Sequence, residues 1–227
     1  MDTIIGIAVT SFLVGLSGAM MPGPVLTMTI GETVACLKGG GSAGADPQLV
    51  RGALVGPLVV LGHGILEIVL VVAVVLGFGT LLARTQVVGS IGILGGVVLV
   101  WMAWGMFRSV RGLSLYATAP HGHGGRHPVL AGILTTLSNP YWAVWWATIG
   151  LGYIAMSLKL GAVGLVAFYG GHILSDLVWY GAISLSLVFG HRLLTDRVYR
   201  GLVTACAGFL VVFGLYFGYA GLRALAA

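Results

Sequence analysis

Apolar residues run along this chain in long unbroken stretches rather than in alternation with polar ones. Six such stretches lie near residues 3–36, 51–79, 87–107, 128–156, 160–189 and 199–222. Each holds roughly 20 or more residues, enough for a helix to cross a hydrocarbon core of about 30 Å. A helix satisfies its own backbone N–H and C=O groups where no water can, so helix is expected for all six. A β-barrel needs ten-residue segments of alternating hydrophobicity, and these runs are continuously apolar. The pattern predicts an all-α membrane protein of six transmembrane helices. The first stretch has no basic segment before it and no small-residue cleavage site after a short apolar core. It reads as a spanning helix retained in the protein rather than a signal peptide.

Polar punctuation divides the six into three and three. A Gly-, His- and Arg-rich loop at about 109–127 separates residues 1–108 from 128–227, all within one transmembrane domain, 1–227. The second helix of each part carries the same marks. Aligned without a gap, Gly52 meets Gly161, Gly62 meets Gly171, His63 meets His172 and Glu67 meets Asp176. The first helices also correspond in kind, one interrupted by Pro22-Gly23-Pro24 and the other by Asn139-Pro140. Proline removes a backbone donor and clashes with the preceding turn, so helices 1 and 4 should kink or unwind there. An odd number of helices per repeat makes the two topologies opposite. Inverted repeats with broken helices in matching places are the sequence pointer to a secondary-transporter binding site.

The chemistry gathers where the helices are most apolar. Residues four apart project from one helical face, so His63 can reach Glu67 and His172 can reach Asp176. An acid at the bilayer centre costs at least about 2.5 kcal/mol, and such residues usually mark a functional site. Of the six acids, Glu32, Glu67 and Asp176 fall inside hydrophobic stretches. Glu32 has no counterpart in the second half and stands nearer a helix end, where it could line a vestibule or reach the interface. The plain alternative for the other two is a His–carboxylate pair that neutralises itself and holds helices together. As a site, Glu67 and Asp176 would bind a substrate ammonium or exchange a proton for it, with the imidazoles tuning them. Unwound helix ends at Pro22–Pro24 and Asn139–Pro140 would offer backbone amides to a substrate carboxylate. Two imidazoles and two carboxylates also suit a divalent transition metal as cargo, with His63, Glu67, His172 and Asp176 as ligands.

Composition agrees with lipid as the main solvent. The 227 residues are 58% hydrophobic and 7% charged, with a mean hydropathy of +1.05, where a soluble domain carries about a quarter charged residues. The net charge of +5 reports topology rather than a nucleic-acid partner. Six spans place Lys38, Arg51, Arg108, Arg111, Arg126, Arg192, Arg197 and Arg200 on one side. Only Arg84, Lys159 and Arg223 fall on the other. The positive-inside rule makes the first side cytoplasmic and puts both termini outside a cell membrane. Cys36 and Cys206 occupy unrelated positions and read as apolar packing. His121, His123 and His127 form a short His-rich tract that either collects metal or is an ordinary polar loop. Ser175, beside Asp176, is a weak nucleophile candidate. No nucleotide-binding loop or catalytic triad stands in the sequence, so neither an enzyme nor a cofactor is expected.

These residues resemble the LysE/RhtB family of membrane exporters. The resemblance rests on Pro22-Gly23-Pro24 in the first helix, the Gly-rich run from Gly52 to Gly62, Gly105-Met-Phe-Arg108 ending the third helix, and Asn139-Pro140-Tyr-Trp in the fourth. It covers nearly the whole chain. It implies efflux of amino acids, often proton-driven and without ATP, with Pro22, Gly23, Pro24, Asn139 and Pro140 shaping the substrate path. Glu67 takes the position of an acid found in basic amino-acid exporters of this kind. His63, His172 and Asp176 depart from the commonest members, and Val25 stands where an Asn often follows Pro-Gly-Pro. The wider superfamily includes cadmium, manganese and nickel exporters. The expected function is a secondary-active, proton-coupled exporter of amino acids or related small cations, with divalent-metal export as the alternative. The partners expected are the small-molecule substrate and the lipid bilayer. Small-residue helix faces are compatible with a homodimer.

Overall fold

The computed structural model describes residues 3–21, 23–38, 45–79, 84–112, 127–190 and 195–226. These form helices α1 (Ile4–Ala19), α2 (Pro24–Lys38), α3 (Ala45–Ala73), α4 (Thr85–Val110), α5 (Pro128–Leu137), α6 (Pro140–Trp145), α7 (Leu151–Leu158), α8 (Gly161–Gly190) and α9 (Asp196–Ala226). Two π-helical turns, Val74–Phe78 and Trp146–Gly150, continue α3 and join α6 to α7. No strand occurs among the described residues.

Four helices are long and apolar enough to cross a membrane: Pro47–Phe78, Thr85–Val110, Gly161–Gly190 and Asp196–Ala226. The α1–α2 pair, bent by 72°, makes a fifth if it is one span. The chain is a multi-pass membrane protein. The stretch 128–156 is broken at Asn139-Pro140, as its proline predicts. It is delivered in pieces, because Ser138 and Asn139 interrupt it and the π turn follows one short helix later.

Both interruptions fall where proline removes a donor. Pro24 opens α2, and Pro140 opens α6 at a position whose N–H would have no partner in any case. Asn139 caps α6, its Oδ1 accepting from the Tyr141 amide at 3.2 Å. Pro22 lies outside the described residues, while Gly23 and Pro24 lie on the far side of the bend.

Close packing depends on glycine. α4 and α9 pair along Gly92 and Gly96 on one side and Gly214 and Gly221 on the other, where an added Cβ would press on the facing backbone. The expected approach at Gly52 and Gly56 is present, with Gly56 against the Tyr180 carbonyl of α8 and Gly52 against the Val188 side chain. Gly62 of α3 sits on the Val129 carbonyl of α5, and Gly171 of α8 sits on the Ala8 carbonyl of α1. Nothing larger than hydrogen fits at either place. These contacts bring α3 and α8 side by side, flanked by α1 and α5, and so set the middle of the bundle.

Cys36 and Cys206 are free thiols in one apolar cluster with Leu26 and Ile30. His121 and His123 lie outside the described residues. His127 caps α5 through a 3.4 Å contact from the Val129 amide to Nδ1.

Candidate functional site

Glu67 on α3 is the centre of the cluster and is 1% exposed. Its Oε1 accepts from Trp146 Nε1 at 2.8 Å and from Trp142 Nε1 at 3.1 Å. It also lies 2.9 Å from His63 Nε2, one helical turn back, and 3.3 Å from His172 Nε2 on α8. The indole N–H groups can only donate, so they hold Glu67 as an acceptor. One oxygen thus gathers groups from α3, α8 and the segment after the Asn139 break.

Glu67 Oε2 is placed differently. It lies 3.2 Å from His172 Nε2 but makes no hydrogen bond of acceptable angle. Asp176 Oδ2 lies 3.5 Å from His63 Nε2 and 3.8 Å from His172 Nε2, again without a hydrogen bond. Both oxygens are buried. A buried carboxylate oxygen with no partner is costly unless something else occupies the space before it.

The two imidazoles are supported unequally. His63 Nδ1 is 2.9 Å from Thr136 Oγ1 on α5, which anchors the ring from behind. His172 Nδ1 has no hydrogen-bond partner among the described residues. On α1 it faces Gly15, where an added Cβ would stand 2.8 Å from Nδ1. Instead, aromatic faces hold the His172 ring. Trp145 stacks on it at 4.7 Å between centroids, with Phe168 at 6.2 Å. Ser175 is fully buried and donates to the His172 carbonyl at 2.6 Å, which ties its hydroxyl to its own helix.

One ligand atom from each of His63, Glu67, His172 and Asp176 lies within 4.8 Å of the other three. The four sit at the wall of a cavity of about 70 Å³ whose lining includes Gly23, Asn139, Tyr141, Trp142 and Phe213. Gly23 and Asn139 reach this cavity, as does Met21 on the other side of the first bend. Pro24 does not line it; Pro24 and Pro140 open the helices that follow the two interruptions. Glu32, on α2, does not belong to the four.

Trp142, Trp146 and Thr136 make contacts to the cluster that the polar pattern does not announce. The available signal is the spacing of Trp142 and Trp146, four residues apart and therefore on one face after Asn139-Pro140.

The sequence profile described as LysE type translocator matches residues 48–221. The match includes the four clustered residues and Asn139-Pro140, and it leaves out Pro22-Gly23-Pro24. Searches of curated proteins and of solved structures find no significant match.

Proposed function

The chain belongs to the LysE type translocator family, and from that premise we propose that it is a secondary-active exporter of a small cation held by His63, Glu67, His172 and Asp176. Family members are transporters rather than enzymes in general. The observation that carries the proposal is the meeting of two acids and two imidazoles from α3 and α8 in the middle of a membrane protein, at the wall of a cavity. Groups so costly in lipid are kept where they bind cargo or protons.

The mechanism is alternating access of one three-helix part, about 1–108, against the other, about 128–227, around this site. Support for an inverted repeat lies in paired contacts between equivalent residues. Gly62 meets Val129 as Gly171 meets Ala8, and His63 faces Thr136 as His172 faces Gly15. Six spans follow if the broken segments α1–α2 and α5–α7 each cross once. The basic loop residues then face the cytoplasm and both termini lie outside the cell membrane. The interruptions at Pro22-Gly23-Pro24 and Asn139-Pro140 flank the path. Proton coupling follows because a cation and the imidazole protons compete for the same carboxylate oxygens. The glycine faces of α4 and α9 pack on each other, so they lend no support to a homodimer.

The cargo has two chemistries to choose between. An amino acid or related organic cation fits the family resemblance, and Tyr141, Trp142 and Trp145 would receive its ammonium over their faces. A divalent transition metal fits the four converging ligand atoms. Uptake into proteoliposomes of a labelled amino-acid panel, set against manganese, zinc, nickel and cadmium, tests the function. Saturable flux of one of these cations is expected. Absence of flux for every one of them contradicts the proposal.

A further inference from the structure

The spacing of the donor atoms separates the two cargo chemistries. For four donors around a metal at about 2.0–2.1 Å, tetrahedral geometry puts neighbouring donors about 3.3 Å apart. For four acceptors around an ammonium nitrogen, with N–H···O distances of about 2.8 Å, neighbours stand about 4.6 Å apart. In the structure His172 Nε2 is 3.2 Å from Glu67 Oε2 and 3.8 Å from Asp176 Oδ2, while His63 Nε2 is 3.5 Å from Asp176 Oδ2. These three imidazole–carboxylate separations are close to the metal spacing and shorter than the ammonium spacing.

The roles of the remaining atoms agree. Glu67 Oε2 and Asp176 Oδ2, each within 3.8 Å of an imidazole nitrogen, are buried and without a hydrogen bond. The other Glu67 oxygen is occupied by the indoles of Trp142 and Trp146. Behind His63, Thr136 Oγ1 can accept from Nδ1–H, and a metal at Nε2 would then take the place of the proton in the 2.9 Å contact with Glu67 Oε1. Groups placed behind the donors in this way orient ligands in metal sites.

Resting on the reading of this cluster as the cargo site, we propose that its cargo is a divalent transition metal bound by His63 Nε2, His172 Nε2, Glu67 Oε2 and Asp176 Oδ2. Trp142, Trp146 and Thr136 are its positioning residues. Two imidazoles and two carboxylates suit zinc, cobalt, nickel or manganese, and the set contains no thiolate to favour a softer ion.

The test is equilibrium binding of Co²⁺ and Zn²⁺ to the untagged full-length protein in lipid nanodiscs, with the Co²⁺ spectrum recorded. One equivalent bound with the visible absorption of a four-coordinate site is expected. The combined H121A, H123A and H127A variant should keep that equivalent, whereas D176N and E67Q should lose it. Trp146→Phe keeps all four donors and should weaken binding about 10- to 100-fold. It serves as the readout if E67Q does not fold. Absence of a bound equivalent, or one lost with the loop histidines and kept in D176N, overturns the proposal. Failure of the export reading looks different. The metal would then bind as described, but D176N would leave flux into proteoliposomes unchanged. Flux of an organic cation that requires Glu67, with no metal bound, overturns the metal and leaves the exporter.

Discussion

Trp146 Nε1 donates to Glu67 Oε1 at 2.8 Å, across from the segment that follows the Asn139 break to the middle of α3. Trp142, one turn earlier, donates to the same oxygen at 3.1 Å. Two indoles thus fix the carboxylate while its second oxygen stays without a hydrogen bond. The break at Asn139 therefore does more than bend a helix. It presents a tryptophan pair to the acid of a different helix.

Trp146→Phe should expose how much this positioning matters. A hydrogen bond to a charged group contributes roughly 1.5–3 kcal/mol, so the half-saturating cargo concentration should rise about 10- to 100-fold. Trp142→Phe, with its longer bond, should give the smaller rise. Transport assays on the two purified variants in proteoliposomes check the order.

Thr136→Val removes the group behind His63 Nδ1 while preserving side-chain shape. The neutral hydrogen bond contributes about 1 kcal/mol, which corresponds to roughly a fivefold loss of affinity. Thr136→Ser keeps the hydroxyl and should restore it. A variant pair that behaves identically contradicts a positioning role for the hydroxyl.

Gly15→Ala should be damaging for a different reason. Its Cβ would meet the Ser175 hydroxyl and come within 2.8 Å of His172 Nδ1, so the His172 ring must shift from its place beside Glu67. Gly170→Ala, on the same helix as His172, has nothing within 4 Å of the new methyl. Transport should fall at least tenfold for Gly15→Ala, on the scale of about 1.4 kcal/mol per factor of ten, and stay near wild type for Gly170→Ala. Membrane yield and thermal stability of both proteins separate a site effect from a folding defect.

How much of this could be read from residues alone follows from what each feature depends on. His63–Glu67 and His172–Asp176 were legible because helix periodicity puts residues four apart on one face. Their convergence was implied by the gapless match of the two segments, since equivalent positions in a repeat tend to meet near its axis. Breaks at Pro24 and Pro140 were legible from proline chemistry. The 72° bend between α1 and α2 was not, because an angle is set by packing on both sides of the break. The π-helical turn at Trp146–Gly150 was not legible either, because no proline marks it and the apolar run continues through it. Nothing in the sequence marks Trp142 and Trp146 as partners of Glu67, because those contacts depend on how the segment after Asn139 lies against α3. The difference between Thr136 and Gly15 became visible only with the register of α5 on α3 and of α1 on α8.

Neutralising the two acids tests the central claim most directly. Cargo flux is measured in proteoliposomes containing wild-type protein, Glu67→Gln, Asp176→Asn and the double variant, at matched protein density and with a proton gradient imposed. The account predicts saturable, gradient-driven flux for wild type and loss of at least about 90% of it in each variant, a factor of ten or about 1.4 kcal/mol. A folded double variant that transports at the wild-type rate would contradict it, and would leave the cluster as a device for holding α3 against α8.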